Sequence, residues 1–267
     1  MSAYPAKIQR LMRTWRGPFD RVEILERAHT PDEDILAHFN GAARPVVVRG
    51  YLAGTPLAGI TFEDVRARAG ALMLDPRWKP SHIYNTIDSS ANDARISLDD
   101  YLAAAVLGET VRQDLYVRFR NLRVPLEFRN ALGLLRPAFL RPHEVHLPCI
   151  WMGAAGSCSN LHTDPQDNFV LCVIGHKRFW LHPPSALPDI QAESVMGSAF
   201  LRSPLDPREA GHPVPTVALD LYPGDLLLLP MGWAHFVECL APAFTYNYWL
   251  DPRETPFFER ASTGTRQ

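Results

Sequence analysis

The sequence predicts a mainly β protein with a jelly-roll core, that is, a double-stranded β-helix, preceded by N-terminal helices and strands. The first observation is a series of strand-length apolar segments from Leu147 onward, separated by glycine and proline turns. The second is the size of the chain, because 267 residues with 46% hydrophobic content can bury one large core. Short strands at this spacing favour a jelly-roll or a similar double-sheet fold.

The N-terminal part of the chain predicts short helices and one buried strand. Residues 31–40 begin with acidic residues, continue with apolar residues at helical spacing and end at an Asn-Gly pair, which predicts a short helix. Residues 44–50 hold three valines between proline and glycine, a pattern typical of a buried strand. Residues 61–64 and 97–100 resemble capping boxes, so we expect a helix to begin at each.

The remaining chain predicts strands, with one segment that has no clear pattern. Residues 114–120 alternate apolar and polar side chains with the period of a strand. Residues 125–145, rich in proline, arginine and leucine, favour no element. Further strands are predicted at Cys149–Met152, Asn168–Ile174, Lys177–His182, Val217–Leu221, Leu226–Leu229, His235–Leu240 and Phe244–Leu250.

This pattern suggests three parts along the chain. Residues 1–110 are expected to form an N-terminal helical and strand extension that packs on the core. Residues 111–252 are expected to form the catalytic core, and residues 253–267 a short C-terminal tail. The sequence leaves the oligomeric state open.

Composition argues against several classes of partner. A formal net charge of -2 gives no global basic field, so we expect no general nucleic-acid binding. The N-terminus lacks a signal-like charged and apolar start, and no apolar run approaches the roughly 18 residues that span a bilayer. We therefore expect a soluble cytoplasmic protein without membrane contact.

The four cysteines have no metal-site spacing and three fall in predicted strands, which favours buried reduced thiols.

His162 and Asp164 are the first candidate metal ligands. They are two residues apart, and on a strand that spacing points both side chains to one face. A third ligand, for which His235 is the candidate, would complete a 2-His-1-carboxylate triad, the arrangement that leaves positions open on an octahedral iron. A His-x-Asp pair alone is a weak signal, so the surrounding motifs carry much of the argument.

Four motifs give that context: L-H-T-D-P-Q-D-N-F, G-H-K-R-F-W-L-H-P-P, P-G-D-L-L-L-L-P-M-G-W-A-H and Y-N-Y-W. Together they resemble the JmjC or cupin-like 2-oxoglutarate and Fe(II)-dependent oxygenases. Within that group the similarity is greatest to the protein hydroxylases typified by the asparaginyl hydroxylase that inhibits hypoxia-inducible factor, and to their JmjC-only relatives. The resemblance is specific over about residues 145–252.

The resemblance implies a role for each matching residue. The iron ligands would be His162, Asp164 and His235. The distal carboxylate of the cosubstrate 2-oxoglutarate would pair with Lys177, with help from Ser159 and Tyr116. Asn168 and Asn247 match positions that support the cosubstrate, and Trp249 shares a strand face with Asn247. Trp151, Trp180 and Trp233 are expected in the core.

The resemblance also implies an activity. With Fe(II), 2-oxoglutarate and O2, the protein would hydroxylate a C-H bond and release succinate and CO2. A protein or peptide side chain is the first expectation for the substrate, and a small metabolite or natural-product intermediate is the alternative. Lysine demethylation is less expected, since no Cys/His-rich zinc module is present. The competing class is a metal-binding cupin without oxygenase activity, such as an isomerase or a sensor.

Overall fold

The structure, a computed structural model, describes most of the chain. The described residues are 4–15, 19–42, 44–74, 76–78, 83–84, 96–106, 108, 115–118, 123–145 and 148–250. The helices are α1 (Ala6–Thr14), α2 (Asp32–Ala42), α3 (Phe62–Ala69), α4 (Leu98–Tyr101) and α5 (Arg123–Leu132). Short 3-10 turns lie at Arg27–His29 and Pro184–Ala186, and a π-helical turn lies at Leu102–Val106.

Strands make up the larger part of the fold. In chain order they are β1 (Glu23–Glu26), β2 (Val46–Arg49), β3 (Met73–Leu74), β4 (Pro76–Trp78), β5 (Ile83–Tyr84), β6 (Ile96–Ser97), β7 (Leu115–Arg118), β8 (Cys149–Gly153), β9 (Cys158–Thr163), β10 (Asn168–Ile174), β11 (Lys177–His182), β12 (Glu193–Ser194), β13 (Leu201–Arg202), β14 (Val217–Leu221), β15 (Leu226–Leu229), β16 (Ala234–Cys239) and β17 (Ala243–Trp249).

Two large sheets organise these strands. One has eight strands in the order β1-β2-β15-β10-β17-β8-β7-β4. The other has seven strands, in the order β12-β13-β9-β16-β11-β14, with β5 pairing to β9 beside this path. Consecutive strands such as β10 and β11 belong to different sheets, so the chain crosses repeatedly between them. This is the connectivity of a jelly-roll, and the predicted mainly β core is confirmed.

The side chains of the central strands alternate between two cores. In β10, Val170 and Cys172 pack between the sheets together with Phe179 from the facing sheet. Phe169 and Leu171, one residue out of phase, pack on the outer side of the eight-stranded sheet. Because every inner and outer position is apolar in such strands, they read as continuous apolar runs in the sequence.

Helices cover the outer faces of both sheets. Residues of α2, α3, α4 and α5 complete the outer core of the eight-stranded sheet. Helix α1 covers the seven-stranded sheet through Ile8 and Leu11, which are 0% and 5% exposed. The Leu11 side chain lies against Gly232, two residues before the strand that holds a candidate ligand. The N-terminal helix therefore supports the segment that leads into the site.

Local capping explains where two of the predicted helices begin. The Thr61 hydroxyl accepts a hydrogen bond from the Asp64 N-H at 3.2 Å, and the Asp64 carboxylate accepts one from the Thr61 N-H at 2.9 Å. This reciprocal pair is the predicted capping box. The Ser97 hydroxyl likewise accepts from the Asp100 N-H at 3.0 Å. The helix that follows Ser97 is only one turn long, because it continues as the π-helical turn.

Several other expectations can be compared with the fold. The described part of the chain contains no helix long and apolar enough to cross a bilayer. All four cysteines are free and buried, as expected. Strands β1 and β2, from the predicted N-terminal extension, pair within the eight-stranded sheet. The boundary near residue 110 stays a prediction, and the predicted tail at 253–267 lies outside the described residues.

Candidate active site

The three predicted metal ligands meet in one place. His162 lies near the end of β9, Asp164 follows that strand directly, and His235 lies in β16 opposite His162 in the antiparallel register. Each side chain offers one potential ligand atom, and these three atoms lie within 4.8 Å of one another. The Nε2 atom of His235 is 3.7 Å from Oδ2 of Asp164, and Nε2 of His162 is 4.0 Å from Oδ1. This is a donor set with the spacing of a metal site.

Backbone carbonyls orient both histidines. Nδ1 of His162 lies 2.6 Å from the carbonyl oxygen of Asn160, and Nδ1 of His235 lies 3.0 Å from that of Trp233. A carbonyl oxygen only accepts hydrogen bonds, so each Nδ1 carries the proton and each Nε2 keeps its lone pair. That lone pair is directed to the shared position beside Asp164. Hydrogen bonding at the other ring nitrogen is the usual way in which proteins orient a metal-binding histidine.

A β-bulge in β9 brings Ser159 to the same face as His162. Residues three apart on a regular strand point to opposite faces. Here His235 pairs with His162 and Val237 pairs with Ser159, so β9 holds one residue more than β16 between these pairs. Because of this additional residue, the side chains of Ser159 and His162 point to the same face. The bulge also places the Asn160 carbonyl where it meets the His162 ring.

Burial keeps the His162 imidazole neutral. The side chain lies in the cavity wall, where burial and the nearby His235 lower the pKa of His162 to about 4, against the opposing effect of Asp164. A metal ion binds the neutral imidazole, so competition from protons at Nε2 of this residue is weak at neutral pH.

Asp164 is held by donors from two other strands, β10 and β17. Its Oδ2 accepts a hydrogen bond from Nδ2 of Asn168 at 2.6 Å and one from Nε1 of Trp249 at 3.2 Å. Oδ1 of Asn168 accepts from Nδ2 of Asn247 at 2.7 Å, and Oδ1 of Asn247 accepts from Nε1 of Trp151 at 2.7 Å. The carboxylate is therefore the end of a continuous hydrogen-bonded chain.

Lys177 lies inside the same cavity. Its side chain is 2% exposed, and its ammonium group donates a hydrogen bond to the Thr245 hydroxyl at 3.0 Å. Its neighbour Arg178 points outward and pairs with Asp220 on the surface, with Nε of Arg178 2.6 Å from Oδ1 of Asp220. A buried ammonium beside an open cavity is suited to hold an anionic ligand, because burial strengthens the attraction.

The cavity between the two sheets has a volume of about 370 Å³. It is lined by Trp151, Ser159, His162, Asp164, Pro165, Gln166, Asn168, Val170, Lys177, Phe179, Val195, Phe200, His235, Val237, Thr245, Asn247 and Trp249. The lining combines apolar and aromatic walls with a few convergent polar groups, which is typical of a small-molecule site.

The structure thus brings together seven of the eight predicted site residues. The eighth, Tyr116, lies in β7 and pairs with Gly153 of β8, but its side chain is outside the described part of the structure. Trp233 is buried between the sheets and Trp180 packs on the outer core, as expected. Trp151 packs against Cys239 and Ala243 as expected for a core residue, but its half-buried ring also lines the cavity, which was not expected. Thr245 was not predicted, since a threonine in an apolar strand gives no distinctive signal.

Comparison with known proteins places the chain in a family. The sequence model of the Cupin-like domain family matches residues 32–255, so this chain belongs to the cupin-like domain family. The resemblance to JmjC proteins seen in the sequence is confirmed by the relatives that match it.

Three of these relatives carry informative names. Jumonji C domain-containing protein 5 of Drosophila melanogaster is 34% identical over 38% of this chain and 27% of its own length. Lysine-specific demethylase JMJ31 of Arabidopsis thaliana is 30% identical over 61% of this chain and 31% of its own length. The human bifunctional peptidase and (3S)-lysyl hydroxylase JMJD7 is 23% identical over 66% of this chain and 72% of its own length. The chain therefore spans about a third or less of the first two proteins.

Proposed function

We propose that this protein is an Fe(II)- and 2-oxoglutarate-dependent dioxygenase that hydroxylates a C-H bond of a protein or peptide side chain, releasing succinate and CO2. The observation that carries the proposal is the shared cavity of a His-Asp-His cluster and a buried lysine. A metal-binding cupin without oxygenase activity has no need of an ammonium group in its cavity.

The three ligands would hold the iron on one side only. His162, Asp164 and His235 come from the end of β9 and from β16, so they approach from one wall and leave the cavity side open to ligands. The bound iron would supply the redox chemistry that activates O2 at the expense of 2-oxoglutarate. The protein contributes the orientation of the ligands, the neutral state of His162 and a wall that limits access by water.

Lys177 would hold the distal carboxylate of the cosubstrate. Its ammonium group can make a charge-assisted hydrogen bond with that carboxylate, with the hydroxyls of Thr245 and Ser159 as further partners in the same cavity. Val170, Phe179 and Val237 would pack against the methylene groups between the two carboxylates. Tyr116 stays part of this proposal on the resemblance alone.

Asn168 and Asn247 would support the cosubstrate through the chain that orients Asp164. Each amide NH2 group has two hydrogens, and the contacts described above use one hydrogen of each. The second hydrogen of each amide is available to a carboxylate or carbonyl oxygen in the cavity. Both residues can therefore position the metal ligand and the cosubstrate together.

The proposed substrate class rests on the relatives and on the lining of the cavity. The names of two relatives describe a lysine-specific demethylase and a lysyl hydroxylase. Residues with aromatic, apolar or amide side chains, namely Trp151, Pro165, Gln166, Val195, Phe200 and Trp249, also line the cavity. Such a wall suits a side chain presented by a peptide.

The first test addresses the metal and the cosubstrate. Separate His162→Ala and Asp164→Ala variants are expected to lose substrate-linked succinate production, because two ligands hold Fe(II) poorly. In wild type, Mn(II) should raise the melting temperature, and 2-oxoglutarate should raise it further only when Mn(II) is present. Full activity in either variant contradicts the assignment. A response to Mn(II) without a further response to 2-oxoglutarate supports the non-oxygenase cupin instead.

The second test addresses the substrate. Peptide libraries and cell extract are incubated with enzyme, Fe(II) and 2-oxoglutarate, and the products are compared by mass spectrometry with those of the Asp164→Ala variant. A peptide that gains one oxygen atom supports the proposal. Loss of a methyl group indicates demethylation, and oxygen gained only by a small metabolite identifies the alternative substrate class.

A further inference from the structure

A single row of hydrogen bonds joins the wall of the cavity to the carboxylate of the metal cluster. It runs from the Trp151 indole through the amides of Asn247 and Asn168 to Oδ2 of Asp164, with separations of 2.7, 2.7 and 2.6 Å. The two asparagines are 2% and 5% exposed, so water has little access to the middle of the row. The four residues come from β8, β17, β10 and the end of β9.

The chemistry of the two ends fixes the direction of every bond. An indole N-H only donates, and an ionised carboxylate only accepts. Asn247 must therefore present its oxygen to Trp151 and its NH2 group to Asn168. Asn168 must in turn present its oxygen to Asn247 and its NH2 group to Asp164. An amide is nearly symmetric in shape, so its orientation in a protein is decided by such partners.

We infer that Trp151 is a positioning residue for the metal site, which acts on Asp164 through the side-chain amides of Asn247 and Asn168. The inference rests on the proposed metal site. Without the indole donor, Oδ1 of Asn247 loses its hydrogen bond and the amide of Asn247 is held only through its NH2 group, which donates to Asn168. The row is then less rigid, so the hydrogen bond from Asn168 holds Asp164 less firmly in its present orientation.

Trp249 shows why Trp151 is needed. Its indole donates to Oδ2 of Asp164 directly, at a longer distance of 3.2 Å. The two indole rings meet edge to face with centroids 6.4 Å apart, so both donors belong to one wall. Oδ2 of Asp164 accepts hydrogen bonds from Asn168, at the end of the row from Trp151, and from Trp249, and together they restrict rotation of the carboxylate. If the row is weakened, Asp164 depends more on the longer bond from Trp249.

The test measures Mn(II) affinity of the full chain by electron paramagnetic resonance, without substrate or turnover. Trp151→Phe keeps an aromatic ring and removes the N-H, and we expect it to weaken Mn(II) binding about tenfold, as is usual for partners of metal ligands. Trp180→Phe is the matched control and should bind Mn(II) like wild type, since Trp180 packs on Phe236 in the outer core.

A double-mutant cycle separates this role from a general loss of packing. In an Asn168→Ala background the row is already interrupted, so adding Trp151→Phe should weaken Mn(II) binding no further. Strictly additive losses, or Mn(II) binding by Trp151→Phe within twofold of wild type, would overturn the inference. If Trp151→Phe does not fold, Asn247→Ser interrupts the same row and takes its place in the cycle. Absence of Mn(II) binding in wild type would instead overturn the proposed metal site itself.

Discussion

The position of Lys177 indicates the charge of the ligand that the cavity binds. It is 2% exposed and lies in the cavity of the His-Asp-His cluster. Removing an ammonium group from water is costly unless the site provides compensating partners. A protein that places this group beside a cavity has a site prepared for an anion.

Replacing Lys177 by methionine tests that role. Lys177→Met keeps the length of the side chain and removes the charge, so the melting temperature with Mn(II) alone should remain near that of wild type. The further increase on adding 2-oxoglutarate should disappear, because the distal carboxylate loses its cation. Lys7→Met, in α1, is the control and should retain the increase. A normal 2-oxoglutarate response in Lys177→Met would show that the carboxylate binds elsewhere.

At the level of single residues, the sequence predicted the metal ligands better than it predicted the residues that surround them in the cavity. The spacing of His162 and Asp164 gives their common face at once. The face of Lys177 does not follow from the pattern, since Lys177 and Arg178 are adjacent cations on one strand. Ser159 joins them only because of the bulge in β9, which no local pattern indicates. The row from Trp151 requires four separate elements, so it depends on tertiary structure.

Among the described glycine positions, Gly175 in the turn between β10 and β11 has the closest neighbour to an added Cβ atom. Gly175 has a φ of +84°, in the left-handed region that favours glycine. A Cβ atom at this position would overlap the carbonyl oxygen of Pro242 and lie 2.7 Å from Cα of Ala243. The turn before Lys177 therefore packs directly against the turn before β17, which carries Thr245 and Asn247.

A pair of glycine variants measures this constraint. Gly211 has a similar φ of +85° but no atom within 4 Å of the added Cβ. Gly211→Ala should cost only the strain of the left-handed conformation, about 1 kcal/mol. Gly175→Ala should cost roughly 2 kcal/mol more, because the backbone must also move. Urea unfolding of both variants gives the difference, and equal losses would contradict the close packing.

The elements found in the sequence are those with strong local signals. Capping residues gave the start of α3, and apolar runs between turns gave β10, β11 and β15 close to their observed limits. Helix α1 was missed although Ile8, Leu11 and Met12 recur at helical spacing, and its start at Pro5 has no side-chain cap to mark it. Helix α5 was missed because its segment contains Pro125, which a helix tolerates only in its first turn.

For the whole molecule, the two-sheet architecture followed from the sequence, but the strand order did not. The order depends on contacts between distant segments, such as β2 beside β15. These contacts also create buried titratable groups that the sequence cannot reveal. His182 is 0% exposed and stacks on His212 with ring centroids 4.9 Å apart. Burial and the neighbouring His212 lower the pKa of His182 to about 4.

This histidine makes the stability of the fold dependent on pH. The unfolded chain binds a proton at His182 near pH 6.5, whereas the folded chain binds it only near pH 4. Above pH 6.5, protonation of His182 therefore does not lower the free energy of unfolding. As the pH falls from 6.5 toward 4, the unfolded chain takes up this proton and the free energy of unfolding decreases. Between pH 7 and pH 5 the loss is about 2 kcal/mol of unfolding free energy.

The corresponding measurement is urea unfolding at pH 7 and pH 5. His182→Gln should lose less stability than wild type over this interval, because the unfolded chain no longer gains that proton. His29→Gln, at an exposed position, is the control and should behave like wild type. An identical acid loss in His182→Gln and wild type would show that other groups determine the pH dependence.

The edge-to-face pair of Trp151 and Trp249 also provides an optical reporter. Both fluorophores stand within the wall where a paramagnetic ion would be captured, one of them in contact with a ligand of that ion. Excited indoles transfer energy efficiently to such ions at short range, so loading with Co(II) should dim the intrinsic emission. Tryptophan fluorescence would therefore report the fraction of the metal site that is occupied, with no dye or label attached.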